Sequence, residues 1–393
     1  MADKTYQVVS SGIGKNHKRI YGRRKWILRM LGFLVLLALL ILAGIYLYTQ
    51  TREYTKYRVL ASVERQDSDG TQFAQVDGNI LKYGRDGAFC IGMDHKVIWS
   101  QTYEMQAPMA DICEEYVAIA DRNGKNVFLM DKSGPCGEIE TTLPIKRIQV
   151  ASQGTVAILM EQDRTGYLQM YSKDGAFLAG GELHMQNSGY PLDIALSDDG
   201  KDLAVSLLDI KEGSVDGTVM FYNFDSGQHE IDYITGQYTY KSLIFPQIEF
   251  LSEDTMVAFG NGKAIIYDIS KKPKARKEID TKREIQSVFY NEAYFGFVFQ
   301  NDNSDSPYHM DVYDLRGAAA LSQDFNVSYK DIGFLENDEI YIHNELECAV
   351  YTLRGVEKFH SNVQKSIYKI IYAGKGTEYV FLLDGETQRI RLK

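Results

Sequence analysis

Between Met30 and Thr51 the chain has no charged side chain. A gap of that kind does not belong to a simple soluble enzyme. Nor is there an excess of positive charge: 43 Lys and Arg against 53 Asp and Glu leave a formal charge of −10, which excludes a duplex-binding protein with a basic face. Disorder is excluded too, because 45% of residues are hydrophobic and 12% aromatic. The cysteines, Cys90, Cys113, Cys136 and Cys348, lack any Cys-x-x-Cys spacing, which rules out a compact zinc knuckle and a thioredoxin-type motif. Also missing are a Gly-x-Ser-x-Gly elbow, a His-Glu-x-x-His pair, a phosphate-cradling Gly-x-x-x-x-Gly-Lys loop and a dinucleotide-binding Gly-x-Gly-x-x-Gly.

The charge that is present is split. Residues 1–29 carry eight basic side chains and one acid, a balance of +7, and the remaining residues sum to −17. As a helix the uncharged stretch would span about 33 Å, enough for a bilayer's hydrocarbon core. Trp26 lies at its near end and Tyr46 and Tyr48 at its far end, where amphipathic rings favour the headgroup zone. The basic flank holds the N-terminus in the cytoplasm. The domain reading is therefore a basic cytoplasmic tail (1–29), a transmembrane signal anchor (30–51), a juxtamembrane linker (52–56) and an extracytoplasmic domain (57–393). A cleaved secretory signal is the alternative, but Ala43 and Gly44 pair badly with Leu42 and Ile45 at a cleavage site.

After residue 56 no helical period is sustained, and short β-rich runs alternate with polar turns. A unit recurs in which apolar residues are followed by a turn and a second apolar run, as in RIQVASQGTVAILM, QIEFLSEDTMVAFG and KIIYAGKGTEYVFLL. Its first apolar positions are Ala74, Ala110, Ile148, Ile194, Ile248, Val288, Ile332 and Ile370. Their mean spacing, about 42 residues, is that of four-stranded propeller blades. A third run ends in an aromatic slot held by Tyr171, Tyr222, Tyr267, Tyr313 and Tyr351, placed to pack between neighbouring blades. The last unit stops after three strands, and YRVLASV (57–63) can supply the missing outer strand and close the ring. The expected fold is all-β, an eight-bladed propeller (seven if one unit is misread) preceded by one transmembrane helix.

DHKVIWSQTYE resembles a blade ending of quinoprotein-like propellers, and LSDDGKDLAVS resembles the turn of WD-repeat propellers. The whole arrangement, a basic tail, one anchor, a Tyr-Arg-Val-Leu strand and an acidic ring, is similar to a bacterial family of membrane-anchored propellers of unknown function. That resemblance implies fold and placement and carries no activity. Quinone-dependent members of the wider group have a Trp in most blades, whereas here Trp99 alone occupies such a site, so no cofactor is expected.

Candidate site residues are sparse. Asp302, Asn303 and Asp305, with Ser306, form an oxygen-rich loop of the kind that binds a hard cation, and Asp67 and Asp69 form a shorter one, but neither supplies a calcium loop's full ligand set. Both read as solvated hairpin loops. Cys113 and Cys136 fall in one unit and leave a disulfide open, against free thiols acting as small apolar residues. The six histidines after the anchor are scattered over different units. The basic run 271–284 reads as an outer hairpin of unit five. The function expected is a protein- or glycan-binding scaffold of the cell envelope that does not bind nucleic acid. The alternative is an extracytoplasmic hydrolase or lyase at the channel mouth. Carbonate extraction should leave the chain in the membrane pellet, with the segment after Thr51 open to external protease; recovery in the soluble fraction would refute the anchor.

Overall fold

The computed structural model describes residues 30–42, 44, 48, 51–184, 189–211, 213–224, 233–302 and 305–393. The chain divides into two units, Met1–Glu53 and Tyr54–Lys393. In the first, residues 30–42 are helical and exposed. Among the described residues no helix is long and apolar enough to cross a membrane. The basic tail, Trp26 and Tyr46 lie outside the described residues.

The second unit contains eight four-stranded antiparallel sheets among the described residues. In chain order the blades cover 72–102, 108–140, 145–184, 190–240, 247–280, 285–325, 331–362 and 367–392. All eight marker positions fall on innermost strands, from Ala74 in Gln72–Val76 to Ile370 in Ile367–Tyr372. The second strands, such as Val156–Gln162 and Tyr294–Gln300, are almost wholly buried, because neighbouring blades cover both faces. Each blade-to-blade interface has its own apolar cluster.

The aromatic slot has a structural counterpart. In blades 1 to 7 the pairing of third and fourth strands shifts register at that slot, for example between Ile266 and Tyr267 and between Val312 and Tyr313. A bulge re-aims the side chain that follows it. Tyr267 is thereby buried against Phe221 and Tyr238 of blade 4, at ring distances of 5.0 and 5.4 Å. Gly134 shows the same close approach: at φ +122° it lies where an added Cβ would sit 3.2 Å from Trp99 of the preceding blade.

Blade 8 closes as expected. Its sheet order places Tyr57–Glu64 outside Glu386–Leu392, paired antiparallel from Tyr57↔Leu392 to Glu64↔Glu386. The interface between blades 8 and 1 has the fewest buried residues, Ile80, Ile371, Val380 and Leu382. Arg65 reinforces it. Its guanidinium donates to the Leu383 carbonyl at 2.7 Å and to the Thr387 hydroxyl in blade 8, pairs with Asp67 at 2.8 Å, and lies 4.5 Å over the Phe73 ring of blade 1. Tyr54, in the stretch read as a linker, is buried and bridges in parallel to Phe359, with its N–H donating to the Lys358 carbonyl at 2.8 Å. Arg65→Ala should cost about 2 kcal/mol in urea denaturation by leaving the Leu383 carbonyl without this donor and Asp67 with Lys82 alone. Arg65→Lys should recover less than half of that, because an ammonium has no planar fork; a loss within 0.5 kcal/mol, the noise typical of surface substitutions, would refute the staple.

Candidate functional site at the channel mouth

The inner strands border a central channel. In blades 3, 4, 6 and 8 a register shift falls immediately before Arg147, Asp193, Ser287 and Lys369. These bulges turn polar side chains toward a neighbouring blade, the preceding one in the case of Lys369. Asp111 Oδ2 accepts the Val150 N–H at 2.6 Å, joining blades 2 and 3. Arg147 Nε donates to Asp193 Oδ1 at 3.2 Å, and Asp193 Oδ2 accepts the Ile248 N–H at 3.0 Å. The Tyr290 hydroxyl donates to Glu249 Oε2 at 2.8 Å, and the Ser287 and Tyr329 hydroxyls meet at 2.7 Å. Lys369 Nζ donates to Asp331 Oδ2 at 3.2 Å, and the Tyr341 hydroxyl donates to the same oxygen at 2.9 Å.

The ends of the ring differ. At the end bearing the turns between first and second strands lies a cavity of about 330 Å³, lined by Asp111, Cys113, Glu114, Asp198, Glu249, Tyr290 and Glu292 among others. Among the described residues no Lys, Arg or His lines it. Burial pushes the Asp111 carboxyl up to about 6, against the pull of the Val150 and Ile112 N–H groups, and the Asp193 charge adds to the rise. Asp193 is also raised by burial to about 6, with Ile248 and Arg147 opposing. Glu249 is held well above the usual range by burial and then by the Asp111 charge. The Cys113 thiol, which donates to Asp198 Oδ1 at 3.6 Å, is pushed up by burial and by that carboxylate, so it is no nucleophile.

The residues singled out in the sequence do not converge here, apart from Cys113. Cys113 ends the first strand of blade 2 and Cys136 sits on the fourth; both are free thiols. Three strand spacings, about 14 Å, separate such positions, so the disulfide left open by the sequence does not form. Asp302 and Asp305 lie on an exposed turn of blade 6, and Asn303 falls outside the described residues. Among the described residues no group of three or more His, Cys, Asp or Glu is placed to hold a metal ion. Asp67 is the partner of Arg65 and of Lys82, at 3.0 Å, which lower its carboxyl below the usual range despite burial. Residues 274–280 form the outer strand of blade 5, where the basic run was expected.

Sequence reasoning missed two histidine clamps. His309 Nδ1 lies 2.6 Å from Asp324 Oδ1, and its Nε2 lies 3.0 Å from Asp311 Oδ1 and 3.1 Å from Ser322 Oγ. The Ser-His-Asp distances invite a nucleophile reading. Asp311 defeats it, because an Nε2 that donates to Asp311 offers no lone pair to the serine. His360 is bracketed by Glu347 at 2.9 Å and Glu357 at 3.1 Å; burial lowers its basicity, but the two carboxylates outweigh burial and raise it. The available signal was the period-two pairs His309/Asp311 and Ser322/Asp324, which face each other on adjacent strands.

Folding raises Asp111 from the ordinary range near 4 to about 6. Between those values the native state holds more protons than the unfolded chain, so stability falls as pH rises through the window and stays reduced above it. Asp111→Asn keeps an oxygen for the Val150 N–H and removes that charge. Calorimetry should show the variant melting above the parent at about pH 8 and losing its advantage near pH 4; a lower melting point at both would contradict the burial argument.

These features define an eight-bladed propeller with a polar-tied ring of inner strands and an acid-lined channel mouth. The chain belongs to a family of unknown function, DUF5711, whose model matches residues 50–392. No curated protein matches it. Among solved structures, BamB from Moraxella catarrhalis is 11% identical with a TM-score of 0.52, covering 86% of this chain and 100% of that one. The Neurospora crassa Pan2 WD40 domain is 10% identical with a TM-score of 0.46, covering 87% and 97%. At such identity the BamB likeness shows the propeller fold and nothing of its use.

Proposed function

We propose that the protein is a membrane-anchored, extracytoplasmic binding module of the cell envelope, and that its channel mouth takes a cationic segment of an envelope protein. The observation that carries this reading is the cavity lined by Asp111, Glu114, Asp198, Glu249 and Glu292 with no basic residue among them. Carboxyls crowded by burial and by one another are relieved when a lysine or arginine enters, so the cation draws protons off Asp111 and Glu249 as it binds. The inner-strand ties hold these groups in place beforehand, which lowers the ordering cost of association. The uncharged segment 30–51 and its basic flank support the membrane placement.

The raised carboxyls favour one second reading, a hydrolase or lyase using Glu249 or Asp111 as a proton donor. Binding is preferred because Asp111 and Asp193 each commit an oxygen to the next blade's backbone and Cys113 is unreactive. Crosslinking in living cells followed by affinity purification should recover an envelope protein with the parent. Recovery should fall about a hundredfold with the double variant Asp198→Asn and Glu249→Gln, the loss of two charge-assisted contacts. Equal recovery with both, or none with the parent, would reject the proposal.

A further inference from the structure

The opposite end of the ring carries a second cavity of reversed polarity. It measures about 510 Å³ and lies between blades 1 and 2, where Arg85, Arg122, Gln72, Gln106, Tyr83 and Met109 contribute to its lining. No acidic residue lines it, although the propeller is acidic as a whole. Arg85 and Arg122 occupy the turns between second and third strands of their blades, and both are exposed. Neither guanidinium has an ion-pair or hydrogen-bond partner among the described residues.

The walls are rigid without a ligand. The Arg85 carbonyl accepts the Met105 N–H at 2.9 Å, and the Arg122 N–H donates to the Ala107 carbonyl at 2.9 Å, so the connection between the blades is pinned at both turns. Asp121 Oδ1 accepts the N–H groups of Gln106 and Ala107 at 3.1 and 2.8 Å, and Met105 is buried beneath. The Tyr83 hydroxyl donates to Gln72 Oε1 at 2.9 Å and Gln72 Nε2 donates to the Pro108 carbonyl at 3.5 Å, which fixes the amide and leaves one of its two N–H groups for a ligand. Two unpaired guanidiniums match an oxyanion, for which their planar forks suit phosphate geometry. The two glutamine amides beside them donate to and accept from hydroxyls, and Met109 with the Tyr83 ring supplies an apolar flank. The volume is that of a small-ligand site.

We propose that the Arg85–Arg122 cavity binds a phosphate ester carried on a polyol or sugar, the phosphate between the two guanidiniums and the hydroxyls against Gln72 and Gln106. This goes beyond the channel-mouth reading and does not depend on it, since the two cavities share no residue and lie at opposite ends of the ring. The same chemistry occurs in a free phosphomonoester and in a phosphodiester within a polymer.

Titration calorimetry on the full-length protein in detergent, with inorganic phosphate, glycerol 3-phosphate and glycerophosphoglycerol as probes, tests the site. At least one glycerol ester should bind more tightly than inorganic phosphate, with binding weakened by salt. A preference for the monoester identifies a free metabolite, and one for the diester a polymer; either supports the site. Arg85→Gln and Arg122→Gln should each weaken binding about tenfold, the loss of one charge-assisted contact. Arg164→Gln, in the corresponding turn of blade 3, should leave it unchanged. Because both arginines sit on exposed turns, the variants should keep the parent's circular dichroism and melting point, so loss of binding is not loss of fold. No heat from any probe at millimolar concentration, or affinity that both variants retain, would overturn the proposal.

Discussion

Pairing of Tyr57–Glu64 with Glu386–Leu392 is the contact on which the remaining architecture depends. A row of sheets packed face to face has two bare ends, and each end would leave an apolar blade face in water. Closing the row removes both. The interface that closure creates, between blades 8 and 1, buries few residues, and the molecule reinforces it by other means. The first strand ties the N-terminal end of the propeller to its last three strands, while Arg65 links the blade 8 backbone to a blade 1 ring.

Closure also sets the electrostatics of the channel. Once eight inner strands are held in a circle, each presents a free backbone edge toward the next, and unsatisfied N–H groups there must find partners. Asp111 and Asp193 supply two of them, at Val150 and Ile248. The cost is a set of carboxyls from different blades brought together in a confined space, with Asp111 and Asp193 raised to about 6. Structural ties and the proposed binding surface thus draw on the same group of side chains. The other end, where blade connections rather than inner-strand turns meet the solvent, is free of that requirement and can display unpaired arginines.

Much of the fold was legible because its signals are local. An apolar pair, a polar turn and a second apolar run specify a hairpin, and repetition every forty residues or so specifies a blade, so all eight markers fell on inner strands. The tyrosine slot was legible for the same reason, although the bulge that aims each ring was not. The candidate site was hidden. Asp111, Asp193 and Glu249 stand beside their apolar markers, where a carboxylate in a solvated turn would look the same. For Cys113 and Cys136 the sequence left a bond open beside the reading of free thiols acting as small apolar residues, and the width of a four-stranded sheet decides for the free thiols.

By itself the sequence determined the uncharged segment, the number of blades and the strand that completes the ring, because side-chain period and turn chemistry act over a few residues. Only the tertiary structure decided which polar groups meet. The channel acids come from turns and strands far apart in the chain, and their burial and mutual charge exist only once the blades are assembled; Arg85 and Arg122 come from successive blades and meet one cavity only when those blades pack. A carboxyl's proton affinity depends on the dielectric and the charges around it in space, and no linear pattern encodes that surrounding.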